Sequence, residues 1–168
     1  MHSAERFTDL YDECHPKVFA YAVTVAGRGL AEEVAGETFC IAWRRFSDLP
    51  DPPLPWLLGV ARNVARKNFR DEARQESLAR ELSGWAAPAG DIGEQVAERA
   101  DLLQRLASLS ETDREALTLI AWHGLSAAEA ARVVGCSKAA FFVRLHRARK
   151  RLAQPTAHAL TALIPEAT

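Results

Sequence analysis

Apolar residues recur along most of the chain at intervals of three and four, the spacing of one face of an α-helix, and no segment sustains the alternation of a strand. Three N-terminal segments carry the pattern: Phe7 to Ala26, Ala31 to Phe46, and Pro55 to about Ala79. In the second, Phe39, Trp43 and Phe46 stand at i, i+4 and i+7, with Val34 and Ala42 widening the stripe; this large aromatic face is expected to be core. In the third, Val60, Ala61, Val64, Ala65 and Asn68 form a face of smaller residues. Between these two, the stretch Ser47 to Pro55 holds prolines at 50, 52, 53 and 55, which interrupt a helix and stiffen the connection.

Four more helices follow: Glu94 to Leu109, Glu111 to Trp122, Ala127 to Val134, and Lys138 to Ala153. Ser110 precedes Asp113 by three residues and Ser126 precedes Glu129 by three, while Ser137 opens the last helix; each is the residue type whose side-chain oxygen satisfies orphan N–H groups at a helix start. Between the two groups of helices, residues 76–96 contain Gly84, Pro88, Gly90 and Gly93, with little apolar periodicity after Trp85. The expected architecture is all-α: two small helical domains, residues 1–75 and 97–153, joined by a flexible acidic linker at 76–96 and followed by a tail at 154–168. Leu160, Leu163 and Ile164 in that tail are expected to pack on the last domain.

Hydrophobic residues make up 48% of the 168 and charged residues 26%, a balance that supports a packed soluble core. The formal net charge of -1 conceals an uneven distribution: residues 138–151 carry six basic side chains and no acidic one. The segment containing them, Ser126 to Leu152, has the pattern of a helix-turn-helix. Its first helix buries Ala127, Ala130, Ala131 and Val134, small enough for a second helix to cross closely. Gly135 then stands where a helix ends in the left-handed conformation, which glycine adopts without steric penalty. The second helix turns Phe141, Leu145, Ala148 and Leu152 inward and leaves Lys138, Phe142, Arg144, Arg147, Arg149 and Arg151 largely on other faces.

Such a helix suits the major groove of duplex DNA. Phosphates reward clustered cations irrespective of sequence, whereas residues near the helix N-terminus reach base edges. Ser137, Lys138 and Ala139 are placed for bases, and Arg147, Arg149 and Lys150 for phosphates. Other classes find little support. His15, His123, His146 and His158 lack a matched nucleophile or carboxylate partner, and no glycine-rich phosphate loop or metal-ligand cluster occurs, so neither catalysis nor a cofactor is expected. Cys14, Cys40 and Cys136 are read as buried or incidental thiols. The first residues lack the order of a secretory signal, and the apolar stretch Val18 to Gly27 is too short to cross a bilayer; a cytoplasmic protein without a membrane partner is expected.

Both halves together resemble the extracytoplasmic-function group of bacterial RNA polymerase sigma factors, within the sigma-70 superfamily. The N-terminal half is similar to sigma region 2 through Ala31-Glu32-Glu33-Val34-Ala35-Gly36-Glu37-Thr38-Phe39, Ala42-Trp43-Arg44-Arg45-Phe46 and Pro55-Trp56-Leu57-Leu58-Gly59-Val60-Ala61-Arg62-Asn63. The C-terminal half is similar to region 4 through Leu106 to Leu109, Asp113-Arg114-Glu115-Ala116-Leu117 and the helix-turn-helix ending in Arg144-Leu145-His146-Arg147-Ala148-Arg149-Lys150-Arg151-Leu152.

The resemblance implies a non-catalytic initiation factor that binds core RNA polymerase and promoter DNA, is a monomer when free, and has an anti-sigma protein as a candidate partner. It places Glu33, Val34, Glu37 and Thr38 against the polymerase and Arg62, Asn63 and Arg66 at the promoter's minus-ten element. Ser137, Lys138, Ala139, Phe142, Arg144, Arg147 and Arg149 fall at the minus-thirty-five element, and the acidic linker in the polymerase's RNA path. Three positions depart from the family pattern. Gly36 replaces a usual glutamine, which costs helix stability and bears on docking; Phe142 replaces a usual basic residue, which shifts promoter preference. The proline-rich loop before Trp56 lacks a usual glycine, which is expected to narrow the range of minus-ten sequences accepted. The alternative is an operator-binding helix-turn-helix regulator, a dimer acting without polymerase docking, for which half-site symmetry in the DNA is expected.

Overall fold

A computed structural model of the chain describes residues 2–68 and 93–154. Among these, every regular element is helical: α1 (His2–Ala26), α2 (Arg28–Arg44), a 3-10 turn (Phe46–Asp48), α3 (Leu54–Asn68), α4 (Gly93–Ser108), α5 (Glu111–Ala121), α6 (Ala127–Val134) and α7 (Lys138–Ala153). The expected helix through residues 69–79, the linker at 76–92 and the packing of the tail at 155–168 lie outside the described residues.

In the N-terminal half, α1 packs along α2 and α3, and those two pack on each other. Helix α1 starts five residues earlier than the apolar pattern suggests and runs through Pro16. An interior proline costs about 3 kcal/mol or more in lost hydrogen bonding and ring clash; burial of Cys14 on one side of it and of Val18, Tyr21 and Ala22 on the other offsets this. Gly27, at φ 81°, makes the turn into α2, a left-handed region most side chains avoid. From α2, Ala31, Val34, Ala35, Thr38, Phe39 and Ala42 are buried, and from α3, Leu57, Leu58, Ala61, Val64 and Ala65.

The aromatic stripe of α2 is only partly core. Phe39 is buried, but Trp43 is 49% exposed and Phe46 half-buried. Both rings pack edge-on against Phe7, at 4.9 and 5.5 Å between centroids, in an aromatic cluster at the surface. The Arg6 guanidinium lies over the Phe46 ring, 5.8 Å from its centre, and Trp43 lines an open groove with Ser3, Arg6 and Leu10 of α1.

In the C-terminal half, α5, α6 and α7 pack on one another. Three consecutive charged residues of α5, Asp113, Arg114 and Glu115, are buried, which requires each to find partners. Arg114 donates to the carbonyls of Leu106, Ala107 and Leu109 at 2.8–2.9 Å and so satisfies the open C-terminal end of α4. Asp113 accepts from Arg151 at 2.8 Å, tying the start of α5 to the last turn of α7.

Glu115 faces the other half. Helix α3 packs against α6, and α1 touches α5, so regions far apart in sequence share an interface. Gly59 marks the close approach of α3 to α6: a Cβ built there would sit 4.0 Å from the Cα of Val133.

Candidate nucleic-acid interface

The turn between α6 and α7 is built by local hydrogen bonds that the sequence specifies. At the start of α6 the Glu129 N–H donates to Ser126 Oγ at 3.3 Å and the Ser126 N–H donates to the Glu129 carboxylate at 2.8 Å, a reciprocal capping box. The backbone N–H of Ser126, then its hydroxyl, holds the Glu129 carboxyl below its ordinary range. At the other end Gly135 is left-handed at φ 72°. The Cys136 N–H there reaches the carbonyl of Ala131 at 3.0 Å, closing the helix. Ser137 immediately caps α7, accepting from the Ala140 N–H at 3.1 Å.

With Phe141, Leu145 and Ala148 buried against the core, the remainder of α7 faces outward. Ser137, Lys138, Ala139, Phe142, Arg147 and Arg149 are exposed and Arg144 half-buried, so all seven residues expected at the upstream element share one helix and its cap. The cations expected to bind phosphates lie in its second half: Arg147, Arg149 and Lys150 are all exposed. Arg151 is engaged with Asp113 instead.

The residues expected at the downstream element are divided. Asn63 and Arg66 are exposed on α3, and Asn63 lines a groove of about 350 Å³ with Pro52, Trp56, Glu129 and Arg132 where α3 meets α6. Arg62, however, is only 6% exposed. Its Nε donates to Glu115 Oε1 at 2.7 Å and its Nη2 to Oε2 at 3.2 Å, a two-pronged pair across the two halves. Tyr21 completes the cluster, donating its hydroxyl to the same Oε1 at 2.5 Å. Burial alone would lower the Arg62 guanidinium, but the hydrogen bond and charge of Glu115 outweigh it and raise it. Burial, and then Glu115, push the Tyr21 phenol well above its ordinary range, so it stays a neutral donor. In this arrangement Arg62 cannot reach a nucleic acid. The part of Tyr21 and Glu115 was not apparent in the sequence; the one clue was a run of three charges, Asp113 to Glu115, leading directly into the apolar part of α5.

The expected polymerase-facing set on α2 also separates. Glu33 is exposed and Glu37 half-buried on the outer face. Val34 and Thr38 point inward and are fully buried, with the Thr38 hydroxyl donating to the Val34 carbonyl at 2.7 Å. Neither can touch a partner while α2 stays packed. Gly36 and Cys40 are exposed beside Glu33 and Glu37 on the same outer face.

No group of three or more potential metal ligands occurs among the described residues. No helix there is long and apolar enough to cross a membrane.

Comparison with known proteins agrees with this division into two halves. The sigma-70 region 2 family matches residues 10–75 and the sigma-70 region 4 family residues 99–152. The probable RNA polymerase sigma factor RfaY of Xanthomonas campestris is 34% identical over 147 residues, 81% of this chain and 36% of that protein. The ECF RNA polymerase sigma factor BldN of Streptomyces coelicolor is 31% identical over 160 residues, 90% of this chain and 60% of its own length. The chain thus spans about a third of RfaY and under two thirds of BldN. The RNA polymerase sigma factor CnrH of Cupriavidus metallidurans is 34% identical over 134 residues, covering 72% of this chain and 70% of CnrH. The structure of CnrH in complex with the cytosolic domain of CnrY superposes with a TM-score of 0.59 at 28% identity, over 96% of this chain and 91% of that one. Matched in both regions, in order, and across most of CnrH, the chain belongs to the extracytoplasmic-function group of the sigma-70 family of RNA polymerase sigma factors.

Proposed function

We propose that this chain is a transcription initiation factor of the bacterial cytoplasm that binds core RNA polymerase and directs it to promoters, without catalytic activity of its own. Residues 1–75 form the polymerase-docking and minus-ten domain and 97–153 the minus-thirty-five domain, with 76–96 between them and 154–168 as a tail. The observation that carries the reading is α7: a helix opened by a left-handed turn and a serine cap, anchored by Phe141, Leu145 and Ala148, with its cations turned outward. Its first turns enter the major groove of the upstream element, and Arg147, Arg149 and Lys150 hold flanking phosphates.

On α2, the docking surface is the outer face around Glu33, Gly36, Glu37 and Cys40. On α3, Asn63 and Arg66 engage the minus-ten element, and Arg62 joins them only once its pair with Glu115 opens. The described arrangement is therefore the closed form, and promoter engagement separates α3 from α6. CnrH is found in complex with the cytosolic domain of CnrY, and an anti-sigma protein is a partner suited to the closed form of this chain. An operator-binding regulator that acts without polymerase has no observation in its favour, since the N-terminal half matches region 2 rather than an effector or dimerisation domain.

Titrating salt against promoter affinity of the chain with core polymerase tests the reading. Each phosphate contact contributes a slope of about -0.9 in log affinity against log salt, so Arg147→Ala and Arg149→Ala each lower the slope by about one. Unchanged slopes would remove α7 from the DNA.

A further inference from the structure

The outward face of α7 over its first six residues is nearly devoid of hydrogen-bonding groups. Of the six residues Lys138 to Val143, only Phe141 is buried, and among the five exposed only Lys138 carries a polar side chain. Phe142 is 49% exposed and Val143 60%. Ala139 lies three and four residues before them, so the three form one apolar surface on a single helix face. Lys138 is held to the same surface, its ammonium 5.8 Å from the centre of the Phe142 ring. Ser137 Oγ accepts the cap hydrogen bond from the Ala140 N–H, and its hydroxyl keeps one donor. Beyond Val143 the exposed side chains become cationic, with Arg147, Arg149 and Lys150.

An apolar surface flanked by phosphate-binding cations fits one feature of duplex DNA. The major-groove floor presents donors and acceptors at every base pair, and the thymine C5-methyl is its apolar group. Asparagine and glutamine, the usual readers of adenine, are absent from residues 138–144, and the side chains there that suit guanine are Lys138 and the half-buried Arg144. We propose that α7 reads its upstream element through thymine methyl groups, with Phe142 and Val143 as the specificity-determining residues and Lys138 as the one exposed hydrogen-bonding side chain among residues 138–143. The inference rests on the assignment of α7 to promoter DNA and adds the chemistry of what it recognises. A protein seated on this surface would have no reason to sense a methyl group in DNA.

The test is made on the DNA, which avoids any question of folding. The upstream element is first selected from a randomised promoter library by this chain with core polymerase; each thymine in it is then replaced by deoxyuridine, which lacks only the methyl. Burying one methyl corresponds to about a fourfold change in affinity, so at least one replacement is expected to weaken binding by about that factor. Phe142→Ala or Val143→Ala is expected to erase the difference between thymine and deoxyuridine at its own position. Equal binding of thymine and deoxyuridine throughout, a methyl preference that survives both substitutions, or a selected element without thymine would each overturn the proposal. Failure to select any element overturns the promoter reading itself, and with it this inference.

Discussion

Arg62 of α3 and Glu115 of α5 pair at 2.7 Å in a buried contact that joins residues 53 positions apart and closes the two halves of the molecule on each other. Removing one member of such a pair leaves the other charged and desolvated, which costs about 3–5 kcal/mol. Glu115→Ala is therefore expected to lower stability by that order in chemical denaturation. Arg62→Leu combined with Glu115→Leu is expected to cost clearly less than the sum of the single changes, because no charge is stranded. Solution scattering of Glu115→Ala is expected to show a larger radius of gyration; an unchanged radius and stability would mean that the pair does not hold the halves together.

His123 adds a pH dependence to the same contact. Its ring stands edge-on to Tyr21, 5.6 Å between centroids, and its Nε2 is buried without a hydrogen-bond partner. Burial, and then the charge of Lys17, push its pKa below the ordinary 6.5. The closed form thus resists protonation more than an opened or unfolded one. Its contribution is complete above about pH 6.5 and is lost as pH falls below that value. Denaturation midpoints measured from about pH 7.5 down to 5.5 are expected to fall, and His123→Phe to flatten the profile. An equal fall in wild type and variant would assign the effect elsewhere.

Gly36 lies inside α2 with nothing within 4 Å of where a Cβ would stand. Gly36→Ala is expected to raise stability by about 1 kcal/mol, the helix-propensity difference between the two residues. Thermal unfolding measures it directly, and no gain would indicate that the glycine is held in a conformation alanine resists.

Gly135, by contrast, is left-handed at φ 72° with equally open space around it. Gly135→Ala is expected to cost about 1–2 kcal/mol of backbone strain and to weaken promoter binding, since this turn sets how α7 is presented. The two glycines separate space from conformation: both are sterically free, and only one tolerates a side chain. Denaturation and DNA titration of the two variants side by side check the contrast.

What the sequence made legible follows the range of the interactions. Ser110, Ser126 and Ser137 cap their helices as expected, and Gly135 closes α6, because a cap is decided within three or four residues. Phe141, Leu145 and Ala148 are buried as expected, because one short helix face meets one core. Periodicity was less reliable for Trp43 and Phe46, since it reports that side chains share a face and not that a neighbour extends far enough to cover it. Motif resemblance located the α2 segment, but Val34 and Thr38 share the inward stripe with Ala31, Ala35 and Ala42. That division could have been read from the four-residue spacing. The pairing of Arg62 with Glu115 and Tyr21 could not, because it depends on how two separately recognisable halves pack.

The most direct test of the account is run-off transcription with purified core RNA polymerase, this chain and a promoter selected from a randomised library. Specific transcripts are expected only when polymerase and chain are both present, and are expected to be strongly reduced by Arg147→Ala combined with Arg149→Ala. No association with core polymerase, or specific initiation that ignores both arginines, would contradict it.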